Sequence, residues 1–157
     1  MSSFFPLFVD VSRFKIVVIG GGRIAERRIQ TLQQFGAHIT VIAPEITDSL
    51  AKLAEYGQIC WLRREYKEGD FSDPKIGMVV VATNDRMVNQ KAGMEARLEG
   101  VPVSVADCKE ESTFYFPGVA HKGNIVVGVT ASGLDHKEAA RVTQNIRMLL
   151  EEEWNVR

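Results

Sequence analysis

Short apolar runs alternate along this chain with stretches whose apolar residues recur at helical spacing, which predicts parallel strands joined by crossover helices. Lys15-Ile16-Val17-Val18-Ile19 is a β-branched run that ends at glycine, the pattern of a strand buried on both faces. From Arg23 to Phe35 the spacing turns helical, with Ala25, Ile29 and Leu32 on one face, and Gly36 stands where a helix-ending glycine is favoured. His38 to Ile42 predicts a second strand, closed by Ala43-Pro44. Thr47 or Asp48 is placed to cap a helix running to about Tyr56. Ile59 to Arg63 predicts a third strand, followed by a turn-rich link from Gly69 to Pro74. Met78 to Ala82 is the most hydrophobic run and predicts a central strand. A helical pattern returns from about Met87 to Leu98 and stops at Gly100, and Pro102 to Ala106 predicts a fifth strand.

After Asp107 the pattern changes. Phe114 to His121 and Ile125 to Thr130 are extended runs, and Lys122-Gly123-Asn124 between them predicts a hairpin. A last helix is expected from about Lys137 to Glu153. The fold class predicted is therefore α/β, a Rossmann-like doubly wound parallel sheet followed by a β-hairpin and helix extension. No repeat at a solenoid period and no low-complexity linker interrupts it.

Composition narrows the function. The 157 residues are 45% hydrophobic and 25% charged, an ordinary globular balance. The formal net charge of -1 provides no global field for nucleic acid or an anionic membrane. Two cysteines without CxxC spacing, Cys60 and Cys108, fit a reducing cytoplasm. No run approaches the roughly 18 apolar residues of a membrane span. The first eight residues carry no basic flank and are not expected to be a signal peptide.

The chemistry begins at Gly20-Gly21-Gly22-Arg23-Ile24-Ala25, which fits G-x-G-x-x-A between a strand and a helix. Gly20 permits a sharp turn, Gly22 lets the backbone approach a pyrophosphate, and Ala25 lets the helix pack close to the sheet. The helix start then offers its free N–H groups and positive dipole end to the phosphates. Gly20, Gly21, Gly22, Arg23 and Ile24 are thus candidate cofactor contacts. At the end of the second strand, where an acid commonly binds ribose, stand Ala43 and Pro44, with Glu45 beyond. No arginine follows directly, which favours NAD over NADP, although Arg23 could reach a phosphate. Val79 to Asp85 carries the fourth strand into a polar loop. Thr83 and Asn84 there are candidate cofactor contacts, and Asp85 is a candidate cap for the next helix.

The ordered set of these motifs resembles a known family. It comprises Phe5-Pro6-Leu7-Phe8, the turn from Val18 to Arg28, Ala82-Thr83-Asn84-Asp85, Val103 to Asp107, Phe114 to Pro117 and Gly123 to Val129. Over about residues 4 to 150 the chain is similar to precorrin-2 dehydrogenase, the NAD-dependent module of sirohaem synthase. The resemblance implies oxidation of the tetrapyrrole precorrin-2 to sirohydrochlorin, with a hydride passed to NAD. It also implies a homodimer, with residues 1–112 as the NAD-binding domain and 113–157 as a dimerisation extension. The sequence departs from the family where Ser132 to Lys137 replaces a usual Ser-Pro pair. It also ends at Arg157, where the family commonly continues into a small helical domain.

Asp107 matches the aspartate that the family uses at its active site. A carboxylate there could take the proton released in dehydrogenation; by position alone, capping the following turn is the favoured reading, and the resemblance brings the two level. The substrate's carboxylates would need cations, and Arg23, Arg27, Arg28, Lys109, Lys122 and Arg141 are the candidates. His38, His121 and His136 show no metal-ligand spacing, and no metal is expected. Cys60 reads as a small apolar filler. Two functions compete: the dehydrogenase, and an NAD-binding regulatory or scaffolding module without turnover.

Overall fold

The structure, a computed structural model, describes residues 5–154; residues 1–4 and 155–157, which fall inside the two domain ranges expected above, lie outside it. The chain divides into two compact units. One is Val9–Phe114, and the other is formed from Tyr115 onward together with the segment up to Phe8.

In the first unit, five strands form one parallel sheet: β1 (Lys15–Ile19), β2 (His38–Ile42), β3 (Cys60–Leu62), β4 (Ile76–Val81) and β5 (Val103–Val105), in the order β3-β2-β1-β4-β5. The centre is apolar on both faces, as the uninterrupted β-branched runs require. Val17, Ile19, Val79, Val81, Val103 and Val105 join one core cluster, and Ile16, Val18, Val41 and Val80 are buried as well. Three helices connect the strands: α1 (Arg23–Gln33), α2 (Asp48–Glu55) and α3 (Arg86–Leu98). The β1-to-β2 crossover through α1 and the β4-to-β5 crossover through α3 run outward in opposite directions. Right-handed connections then put these helices on opposite faces and leave a switch point between β1 and β4. α1 buries Ala25, Ile29 and Leu32, the stripe read from the sequence, and α3 buries Ala92 and Ala96 in the core cluster.

Several boundaries differ from the sequence reading. The third and fifth strands are three residues each, because only Cys60–Leu62 and Val103–Val105 find partners in β2 and β4. β4 begins earlier, at Ile76, which pairs with Lys15. α1 ends at Gln33, with Gln34 as its cap, so Gly36 (φ 71°) turns the chain beyond the helix. Cys60 is exposed, not a buried filler, since β3 lies at the sheet edge.

The second unit holds β6 (Gly118–Lys122) and β7 (Ile125–Val129), an antiparallel hairpin, and α4 (His136–Trp154). Gly123 and Asn124 form the two-residue turn, with Gly123 at φ 55°, the positive region that such hairpin turns demand. Of the expected run from Phe114, pairing starts only at Gly118. Arg147 on α4 donates to the Val119 carbonyl at 3.1 and 2.6 Å, tying the helix to β6. Asp135 accepts the Glu138 N–H at 2.8 Å at the start of α4. No helix among the described residues is long and apolar enough to cross a membrane.

Candidate dinucleotide site

The carboxyl ends of β1, β2 and β4 finish level, because Ile19 pairs with Ile42 on one side and Val81 on the other. Gly20 follows at once. Its N–H donates to the Ile42 carbonyl at 3.0 Å, and its φ of 109° is a region that side chains rarely adopt. A Cβ at Gly20 would run into the Ala82 carbonyl, and one at Gly21 into the Glu45 carbonyl and Ile46. The turn is therefore wedged between the loops after β4 and β2, and only glycine fits either place. Gly22 differs: it is exposed, and a Cβ there would meet nothing within 4 Å.

Gly22 is the N-cap of α1 and offers no side-chain cap. α2 and α3 are capped by Thr47 and Asp85, whose side chains accept the first-turn N–H groups. In α1 the helical ladder starts with Glu26, whose N–H donates to the Gly22 carbonyl at 2.9 Å. The N–H groups of Arg23, Ile24 and Ala25 precede that ladder, and in company with the helix dipole they form an anion-binding end. Arg23 and Ile24 are exposed at its rim, and Ala25 is fully buried against the sheet.

At the end of β2, Ala43 is buried and Pro44 and Glu45 are exposed. The Ala43 carbonyl accepts the Trp61 indole N–H at 2.9 Å, and the Arg63 guanidinium lies 5.5 Å from the centre of the Trp61 ring. Trp61 thus holds the backbone beside the glycine turn.

The loop after β4 is organised around Asn89, which is fully buried on α3. Its Oδ1 accepts the Thr83 N–H at 3.1 Å and the Thr83 hydroxyl at 2.6 Å. Its Nδ2 donates to the Thr83 carbonyl at 3.0 Å and to Asp107 Oδ2 at 2.9 Å. The Thr83 hydroxyl also accepts the Asp85 N–H at 3.1 Å, so its polar capacity turns inward. Asn84, next along, is exposed. Asp107 follows β5 by two residues, and its Oδ1 accepts from Arg86 Nη1 at 3.0 Å. Arg86 also pairs with Glu111; that hydrogen bond and the nearby Asp107 charge hold its guanidinium above the usual arginine range.

Residues 7–118 match the model of a family described as "Putative NAD(P)-binding". The chain belongs to that family. A "Probable multifunctional siroheme biosynthesis protein HemA" of Ruminiclostridium josui is 39% identical over 146 residues, covering 92% of this chain and 28% of that protein. A siroheme synthase of Ectopseudomonas mendocina is 34% identical over 130 residues, covering 83% of this chain and 27% of that protein. This chain thus spans little more than a quarter of these curated relatives. A solved structure titled "SirC, precorrin-2 dehydrogenase" superposes with a TM-score of 0.78 at 25% identity, covering 91% of this chain and 69% of that one. These likenesses agree with the resemblance to the N-terminal NAD-binding module of sirohaem synthase. They also support NAD as the cofactor and the doubly wound α/β fold.

Of the candidate cations, Arg23, Arg27, Lys109 and Arg141 are exposed, and Arg141 is paired with Glu138 at 2.7 Å. Arg28 is half-buried, and burial, with Arg27 nearby, pulls its guanidinium down to about 10. His38, His121 and His136 are exposed, and no cluster of His, Cys, Asp and Glu able to hold a metal occurs among the described residues. Asn89 and Arg86 escaped the sequence reading. A signal for Asn89 was present: it shares the buried stripe of α3 with Ala92 and Ala96, and a polar side chain there demands partners.

Proposed function

We propose that this chain binds NAD at the Gly20–Gly22 turn and uses it to oxidise precorrin-2 to sirohydrochlorin, as a homodimer in the cytoplasm. The observation that carries the reading is the Asp107 carboxylate, fixed by two donors at the carboxyl edge of β5, one strand across β4 from the glycine turn. The names of the relatives, a siroheme biosynthesis protein and a precorrin-2 dehydrogenase, support the same chemistry.

The residues present fit the dinucleotide. Gly22 leaves open space where a side chain would block the approach of a diphosphate, and α1 keeps its first N–H groups clear of any side-chain cap. Arg23 and Ile24 border that end. Ala43 and Pro44 would flank the ribose, with Glu45 exposed beyond them. A carboxylate beside that ribose repels a 2′-phosphate, which favours NAD over NADP. Asn84 is free on the surface of the loop after β4 to reach the cofactor, and the Thr83 backbone shapes that loop.

Bound NAD supplies the two-electron acceptor. The chain's part is to place the substrate and to handle the proton. Asp107 accepts the proton that leaves the macrocycle, in general-base fashion. Exposed Arg23 and Arg27 meet substrate carboxylates through the fork geometry of guanidinium groups. The extension expected over residues 113–157, most of which lies in the second unit, pairs the two copies.

The test mixes purified protein, NAD and precorrin-2 without oxygen and follows NADH together with the tetrapyrrole spectrum. Turnover is expected. Tight NAD binding without turnover would leave the regulatory or scaffolding module instead. Asp107→Asn should keep NAD affinity and lower kcat by about 10²- to 10⁴-fold. An unchanged kcat would remove Asp107 from the role of base.

A further inference from the structure

We propose that Asn89 is a positioning residue for Asp107, and that it locks the carboxylate and the loop after β4 into one rigid body. This rests on the reading of Asp107 as the proton acceptor.

Asn89 has two donor hydrogens and two acceptor lone pairs, and all four are used. Three of the four bonds go to one residue, Thr83, through its N–H, its carbonyl and its hydroxyl. The fourth goes to Asp107 Oδ2. The side chain is fully buried, so no water competes for these groups, and each bond is stiffer than its exposed counterpart. Anchoring starts one turn earlier, where Asp85 accepts the N–H groups of Met87 and Val88 at 2.8 and 3.2 Å and fixes the first turn of α3. From that turn Arg86 takes the other carboxylate oxygen of Asp107. One helix therefore holds both oxygens of the carboxylate, one with a neutral amide from inside and one with a cation from the rim. Arg86 is itself held by Glu111.

The consequence is geometric. Thr83 follows the strand that packs against Gly20, so the body that orients Asp107 also forms one wall of the glycine turn. An unrestrained aspartate on an exposed turn would sample several rotamers, whereas proton transfer needs a reach within hydrogen-bond distance of the substrate. Asn89 removes that freedom without placing a charge in the core.

A double-mutant cycle tests this, read in the anaerobic assay and in thermal unfolding without nucleotide. Asn89→Ala is expected to lower kcat by about tenfold to a hundredfold, with a smaller change in KM for NAD. In the Asp107→Asn background the same substitution should cost less than about twofold further, because nothing remains to be positioned. The falls in Tm should likewise be less than additive. Equal fractional losses in both backgrounds, together with additive Tm shifts, would overturn the proposal.

If Asn89→Ala does not fold, the swapped pair decides. Asn89→Asp keeps the volume but sets an oxygen against both Asp107 Oδ2 and the Thr83 carbonyl, and should lower Tm. Adding Asp107→Asn lets an amide face the carboxylate again, and should recover part of the lost Tm without recovering kcat, the bond to the Thr83 carbonyl staying broken in both variants. No recovery of Tm would overturn the proposal. Full kcat in Asp107→Asn alone would sink the base reading instead, while the Tm cycle still decides whether the two side chains act together.

Discussion

The two units of this chain use the same kinds of residue and satisfy them differently. In the first, β1, β2 and β4 place valine and isoleucine on both faces of a parallel sheet, and helices cover them. Ile16, Val18, Val41, Val79 and Val80 are fully buried. In the second, β7 is just as apolar, Ile125-Val126-Val127-Gly128-Val129, yet none of its residues is fully buried. α4 buries only Thr143 among its described side chains, and Ile125, Leu134, Met148 and Leu149 are all exposed. The first unit completes its core from its own chain. The second leaves Ile125, Leu134, Met148 and Leu149 uncovered, and the dimerisation proposed from the resemblance falls on this unit.

Four variants break or sharpen that contrast. Gly20→Ala should be the most damaging, because a Cβ there collides with the Ala82 backbone and the φ is already unfavourable. A loss of about 4 kcal/mol or more is expected from denaturant unfolding, with NAD binding abolished in calorimetry. Ile16→Ala empties a fully buried site on β1 and should cost about 3 kcal/mol in the same experiment. Asp85→Ala removes the cap of α3 and should cost about 1 kcal/mol. The paired change Met148→Ser and Leu149→Ser should alter the unfolding free energy of the isolated chain by less than about 0.5 kcal/mol. Its effect should appear in sedimentation, as a shift from dimer to monomer. If this exposed pair proved as costly to the lone chain as Ile16→Ala, the contrast between the units would fail.

Much of the sheet was legible from sequence because burial on both faces leaves a local mark. A β-branched run that ends in glycine can hardly be anything but a buried strand at a turn, and the helical stripe of Ala25, Ile29 and Leu32 reads directly. Asp85 as a cap was likewise visible three residues before Val88. Strand ends were less legible. Cys60 looks apolar and strand-like, and nothing local says that β3 lies at the edge of the sheet with Cys60 exposed. The site divides in the same way. The glycine turn announces itself, and Asp107 stands out at the end of a strand. The partners that fix Asp107 come from α3, 18 and 21 residues away in sequence, and no periodicity connects them.

By itself, then, the sequence determined the order of strands and helices, the glycine turn and the choice of a nucleotide cofactor, and it narrowed the caps to a few candidates, because each depends on neighbours within a few residues. Only the tertiary structure decided that Gly20 abuts Ala82, that Trp61 secures Ala43, and that Asn89 and Arg86 close on Asp107 from either side. Those facts depend on which strands lie side by side and at what register. Side-chain contacts across a sheet are set by that packing, which no short window of residues contains.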